Sequence, residues 1–387
     1  MGPLEGIRIV EFAGIGPGPM CAMLLADMGA EVLRLDRLAD TGLGIERPEN
    51  FNILNRGRVS VLVDLKSKEG VALALDLVGA ADALIEGFRP GTMERLGLGP
   101  EVCLDRNPRL VYGRMTGWGQ DGPLAAAAGH DLNYIALVGA LHAIGRAGQP
   151  PTPPLNLVGD YGGGALYLAF GILCALLEAG RSDRGQVVDA AMIDGAASLM
   201  APFYGLHAAG LHGGRRGENF LDSGAPYYDV YACADGRWLS VAPIEIKFRD
   251  EFYRRIGLDP TALPDAADRR NWPAIKDAVA ARLAEKTCAE WCELLEGTDA
   301  CVAPVLSMAE APAHPHHVAR GTFVDIGGVV QPAPAPRFSR TPPGVPSAPR
   351  PAGDGGLDAL RDWGIAPGRI AQLQADDVVA DRRRGQR

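Results

Sequence analysis

Residues 7–36 read IRIVEFAGIGPGPMCAMLLADMGAEVLRLD. The β-branched run from Ile7 to Phe12 predicts a strand, and the Gly/Pro group from Gly14 to Pro19 predicts a tight turn. Met20 to Met28 is made of helix formers closed by Gly29, and Glu31 to Leu35 reads as a second strand. Strand, turn, helix and strand in this order form a βαβ unit, whose two strands run parallel. The pattern continues outward. Val59 to Val63 predicts a strand, Ser67 can cap a helix ending at Gly79, and Ala83 to Ile85 and Leu110 to Met115 predict further strands. The fold class expected is α/β, with a large domain built on a Rossmann-like parallel sheet covered on both faces. Ligands of such sheets gather at the carboxyl ends of the strands.

The texture changes near Tyr227. Tyr228 to Ala232 and Arg237 to Ala242 flank Ala234-Asp235-Gly236, a hairpin signal, and amphipathic stretches follow at Lys247 to Ile256 and Ala274 to Ala284. This predicts a smaller α+β domain over residues 226–325, joined to a large domain of residues 1–200 by a linker at 201–225. Prolines recur from Pro332 to Pro351 and favour an extended connector. Leu357 to Val379 regains helical character before the basic Arg382-Arg383-Arg384, so residues 326–387 are expected to be a Pro-rich connector and a terminal helix returning to the large domain.

The 387 residues are 47% hydrophobic and 22% charged, values that disfavour disorder, coiled coil and fibre. Net charge is −9, so no overall field attracts nucleic acid or an anionic membrane, and an anionic ligand has to meet a local group of Lys and Arg. The seven cysteines contain no Cys-x-x-Cys pair, which suits reduced thiols and a cytoplasmic setting. Cys288 and Cys292 are read as two small apolar side chains stacked on a helix. No basic leader precedes an apolar run at the N-terminus, and the run Ala165 to Leu177 is too short to cross a bilayer, so a soluble intracellular protein with a buried core helix is expected.

Several motifs invite chemistry. Gly14-Ile15-Gly16-Pro17-Gly18-Pro19, with Asp36 ending the next strand, imitates a dinucleotide fingerprint. Pro19 stands where the third glycine belongs, and the prolines remove amides that a phosphate cradle needs, so a tight turn is the better reading. Arg37, just past the second strand, could meet a phosphate or stack on a purine. His314-Pro315-His316-His317 lacks the spacing of a metal site and reads as a solvated loop. Gly129-His130-Asp131-Leu132-Asn133-Tyr134 falls at a helix start, where free amides can stabilise a developing oxyanion. Asn156-Leu157-Val158-Gly159-Asp160-Tyr161-Gly162-Gly163-Gly164 leads into the buried helix. Its glycines point to a close-approaching ligand or backbone, and Asp160 to an acid/base. Glu245, past the hairpin, could orient an imidazole.

Taken in order with Val59 to Lys66, Ile85 to Gly99, Arg114 to Gly122, Gln186 to Asp194, Gly224 to Glu245 and Pro336 to Arg340, these segments resemble the family III coenzyme A transferases. The two motifs around His130 and Asp160 are similar to the α-methylacyl-CoA racemase branch of that family. The resemblance implies an isomerase that inverts the α-carbon of 2-methylacyl-CoA thioesters through an enolate. In it His130 and Asp160 are the two bases, Glu245 bonds to His130, Asn156 supports Asp160, and the Asp131 amide meets the oxyanion. It implies CoA contacts at Arg37, Val63, Asp64, Leu65, Lys66, Gly87, Phe88, Arg89, Arg95, Gly129, Asp131, Leu132, Asn133 and Tyr134. It also implies an interlocked homodimer in which Glu245 comes from the partner chain, and no metal or redox cofactor, CoA being part of the substrate. Ile246 departs from the resemblance, standing where Pro is usual. The alternative within the same fold is CoA transfer with Asp160 as nucleophile. A non-catalytic CoA-binding protein is a further alternative, disfavoured by the intact His130, Asp160 and Glu245 set.

Overall fold

In the computed structural model, which describes residues 2–39, 42 and 44–381, the βαβ reading becomes a seven-stranded sheet. Its strands are β1 (Arg8–Phe12), β2 (Glu31–Asp36), β3 (Val59–Val63), β4 (Ala83–Glu86), β5 (Val111–Thr116) and β6 (Gln186–Ala191), with a short strand near the C-terminus. β1 lies at the centre, flanked by β2 and then β3 on one side and by β4, β5 and β6 on the other, all parallel. Alternation along each strand feeds two cores. Val10, Phe12, Leu33, Leu35 and Leu84 pack under the helices Lys68–Gly79, Gly356–Asp362 and Pro367–Ala375. Ile9, Val32, Ile85 and Met115 pack under the helices Pro17–Asp27 and Leu166–Ser182. Both faces are covered, which is why these strands read as nearly continuous apolar runs. Ser67 caps as expected, its Oγ accepting from the Gly70 amide at 3.0 Å.

Two compact units are present. The first runs to Val138, resumes over Leu155–Leu199 and resumes again from His316. The second comprises Gly139–Pro154 and Met200–Pro315. The second is built on the antiparallel strands β7 (Asp229–Ala232), β8 (Trp238–Val241) and β9 (Val302–Pro304). The helices Ile246–Arg255, Trp272–Leu283 and Cys288–Leu295 close a core of Tyr231, Leu239, Phe252, Ile275, Val279 and Trp291. A hairpin of β10 (Phe323–Ile326) and β11 (Val329–Pro332) turns through Gly327-Gly328, and β12 (Val379–Ala380) pairs antiparallel with β3 at the sheet edge.

Some expectations change. Residues 315–320 are helical and not a loop, because Pro315 occupies the start of the helix, where proline is well suited. His314 Nε2 lies 3.1 Å from a Glu296 carboxylate oxygen, and the described residues hold no His/Cys/Asp/Glu cluster suited to a metal. The apolar helix is longer than the run Ala165 to Leu177: continuous helical structure covers Leu157–Ser182, 26 residues that by length and composition would suffice to cross a membrane. Leu168, Ile172 and Ala175 of this helix are buried among the core residues beneath β5 and β6, the packing of a core helix. The basic group Arg382 to Arg384 lies outside the described residues.

Candidate active site

β1 gives way at its carboxyl end to the turn Ala13–Gly16. Gly16 adopts φ +69°, and a Cβ there would stand 3.4 Å from a carboxylate oxygen of Asp160, so the turn faces that residue. Pro17 and Pro19 then begin the helix as non-donors, so the turn forms no phosphate cradle. Asp36, the candidate ribose acid, is engaged elsewhere: it accepts from Arg34 Nε at 2.6 Å and from the Ser60 hydroxyl.

His130 is the N-cap of the helix Asp131–Leu137. Its amide donates to Asn133 Oδ1 at 3.1 Å while its side chain is exposed. The helix is fixed by Tyr134, a buried ring held edge-on by Trp118 at 4.7 Å between centroids. Asp131 is buried, and its Oδ1 accepts the amide of Asp160 at 2.7 Å.

Asp160 does not cap the long helix. It lies inside a π-wound turn, Leu157–Ala165, that continues into that helix. Such wide turns admit an extra residue and recur at functional sites. The glycines explain how the turn fits. A Cβ on Gly159 would stand 2.5 Å from Asp131 Oδ1, and one on Gly163 2.6 Å from the backbone nitrogen of Ala196. The close approach read from the glycines is thus made, at Gly159 and Gly163, by neighbouring elements on both sides.

Burial and three neighbouring groups set the state of the Asp160 carboxyl. Burial pushes it above the ordinary carboxylate range, the Asn156 side-chain amide, donating to Oδ2 at 3.0 Å, pulls it down, the Asp131 carboxylate raises it, and His130 lowers it. Tyr134 belongs to the same surroundings: burial raises its hydroxyl to about 12, helped by Asp160 and opposed by Arg89. His130, Asn156 and Asp131 thus act on Asp160, and Asp160, Asp131 and Arg89 act on Tyr134. Glu245 lies in the second unit, exposed at the N-cap of the helix Ile246–Arg255. Ile246 takes the first helical position, where Pro would also fit.

The remaining expected CoA residues line the carboxyl edge of β2, β3 and β4. Arg37 leaves β2 and rests 5.5 Å above the Phe88 ring. Val63 ends β3 and is buried, the Asp64 carboxylate accepts the Lys66 amide at 3.0 Å, and Leu65 packs on the core. Gly87, Phe88 and Arg89 follow β4, and Arg95 bonds Thr92 Oγ1. Arg37, Lys66, Arg89 and Arg95 are all exposed. Arg37, Lys66 and Arg89 follow β2, β3 and β4, which leave the same edge of the sheet with β1 between β2 and β4. Gly129 precedes the His130 cap, Leu132 is exposed on the first turn, and Asn133 acts as that turn's own cap partner.

Sequence reading missed what braces the Phe88 loop. Glu86 accepts the Phe88 amide at 2.8 Å and Arg114 Nε at 2.9 Å, and Arg114 reaches on to Glu94. These residues fall within the segments Ile85 to Gly99 and Arg114 to Gly122, but no spacing in them announces a brace.

The model of CoA-transferase family III matches residues 4–355. The chain belongs to this family. It is 46% identical to a mouse protein named alpha-methylacyl-CoA racemase and 42% identical to the human protein of that name, in each case over 97% of both chains. Among solved structures, a CAIB/BAIF family protein from Brucella suis superposes with a TM-score of 0.80 at 25% identity, covering 94% of this chain and 99% of the other. The α/β fold with its mostly parallel sheet is the fold of this family.

Proposed function

We propose that this member of CoA-transferase family III is an α-methylacyl-CoA racemase, acting on branched-chain or sterol-side-chain 2-methylacyl thioesters. The observation that carries the reading is the pairing of His130 with a half-buried Asp160 whose carboxyl is raised by its surroundings, in a chain 46% identical to a protein of that name. Sulfur donates weakly into a thioester carbonyl, so the α-hydrogen is acidic enough for side-chain bases. One of the two groups removes it, the planar enolate forms, and the other returns a proton to the opposite face. For the reverse substrate the two exchange roles. The enolate oxygen needs a preorganised donor, and the Asp131 amide, first in its helix, has no acceptor within that helix. The CoA phosphates meet Arg37, Lys66, Arg89 and Arg95. Proton transfer of this kind calls on no redox step.

Family membership also favours a second reading, CoA transfer with Asp160 attacking the thioester to form a mixed anhydride. In deuterated water with no acceptor acid, the racemase should place deuterium at the α-carbon and equilibrate the epimers. A transferase would leave the α-carbon untouched and move labelled CoA from the donor thioester onto an acid only when that acceptor is added, and that result would replace the first reading by the second.

The proposal includes a homodimer with composite sites. On the helix Leu166–Ser182 the residues Leu166, Phe170 and Leu177 are 53%, 67% and 65% exposed, and with Cys174 they form one stripe at helical spacing, a face that a second copy would cover. If Glu245 serves the partner's His130, coexpressed His130→Ala and Glu245→Ala chains should form mixed dimers with one intact site each and recover racemisation that neither variant shows alone. No recovery in isolated mixed dimers would place Glu245 and His130 on the same chain.

A further inference from the structure

Asp131 is conspicuous for its side chain as well as its amide. The residue is 6% exposed, its Oδ1 holds the Asp160 amide at 2.7 Å, and its Oδ2 is buried with no hydrogen-bond partner among the described residues. An asparagine would supply the same acceptor without an unpaired buried oxygen of a charged group, so a purely architectural role does not explain a carboxylate here. Room for it exists because residue 159 is glycine; any Cβ would overlap Oδ1.

We propose that the Asp131 side chain is a positioning residue for Asp160, anchoring the backbone from which that base projects and setting a negative charge behind it. The inference rests on the two-base reading of His130 and Asp160. The charged groups acting on Asp160 are Asp131 and His130, both at the start of the neighbouring helix, while Asn156 acts from its own turn as a neutral donor. Tyr134, from the same helix, is a neutral phenol through the working range, and Arg89, after β4, acts on Tyr134. Asp131 opposes ionisation of Asp160, so the second base keeps its proton to higher pH than Asn156 and His130 would otherwise allow. A group that must give up a proton in one direction and take one in the other gains from this balance.

Asp131→Asn keeps the backbone amide, the shape and an acceptor oxygen but removes the charge. In the direction where Asp160 is the base, rate rises with pH as Asp160 ionises, so the acid limb of the kcat profile should move to lower pH with KM for the acyl-CoA little changed. Asp131→Ala also removes the acceptor, and kcat should fall by about 100-fold, the size of loss that follows when a reacting group is displaced by an ångström. Thermal melts of both variants report whether each is folded. If folded Asp131→Asn gives a wild-type pH profile and folded Asp131→Ala keeps kcat within a few-fold, the proposal is overturned. Wild-type racemisation by Asp160→Ala would instead remove the two-base reading itself, so the two failures are distinguishable.

Discussion

Asp160→Ala and His130→Ala should each reduce racemisation by about 10²- to 10⁴-fold, the contribution of one positioned acid or base, while CoA itself still binds. Neither side chain is among the exposed cations at the edge of β2, β3 and β4, so phosphate recognition survives. The two variants should differ in what they retain. A single remaining base can still remove and return a proton on its own face. In deuterated water each variant should therefore wash deuterium into one epimer without inverting it, and the susceptible epimer should be opposite in the two. Proton NMR of the α-methyl signal follows both processes at once. Wild-type inversion in either variant, or washout of the same epimer in both, would contradict bases on opposite faces.

The environment of Asp160 makes this division workable near neutrality. An ordinary aspartate would be almost wholly ionised there and a poor acid. Burial and the Asp131 charge raise this one, while Asn156 and His130 pull it back down.

Much of this was legible in the sequence, for identifiable reasons. Strands β1 to β5 could be read because a parallel sheet buried on both faces writes itself as short apolar runs between helices, and Ser67 announced its helix because capping is local. The His130 helix start was local in the same way. What could not be read depends on distant contacts. The π-turn around Asp160 is shaped by Gly159 against Asp131 and Gly163 against Ala196, 28 residues away in one case and 33 in the other. β9 is three residues long and gains its strand character only by pairing with β8. The brace Glu86–Arg114–Glu94 joins ordinary charged residues that no spacing relates. The helix at Pro315 was read as a loop because a proline looks like a breaker until its place at a first turn is known.

Arg56→Ala should cost about 3–5 kcal/mol of folding stability, the loss expected when one partner of a buried ion pair is removed. Arg56 is 2% exposed. It grips Asp27 with Nε at 3.0 Å and a terminal nitrogen at 2.6 Å, and its other terminal nitrogen donates to Gln331 Oε1 and the Pro332 carbonyl at 2.9 and 2.8 Å. One planar guanidinium thus joins the end of the helix Pro17–Asp27 to the β10–β11 hairpin, whose Gln331 lies 275 residues beyond Arg56 in the chain. Asp27 is 3% exposed and sits at a helix C-terminus, where a negative charge is disfavoured, so without Arg56 only the more distant charge of Arg58 compensates it. Lysine is no substitute, because a single ammonium cannot present the fork that serves all four acceptors, and Arg56→Lys should recover only part of the loss. The pH dependence gives the mechanism away. Burial already holds the Asp27 carboxyl above its ordinary value despite Arg56, and losing the cation raises it further. A carboxyl with a folded-state pKa above its unfolded one takes up a proton on folding, so its destabilising effect grows as pH rises through that raised value and disappears below the ordinary carboxylate range. Urea unfolding should therefore show a larger deficit for Arg56→Ala at alkaline than at mildly acidic pH. Replacing both partners, Arg56→Met with Asp27→Leu, should restore much of the difference by removing the stranded charge. A deficit independent of pH and unchanged in the double variant would mean that Arg56 acts through its packing and its bonds to the hairpin, with the ion pair contributing nothing.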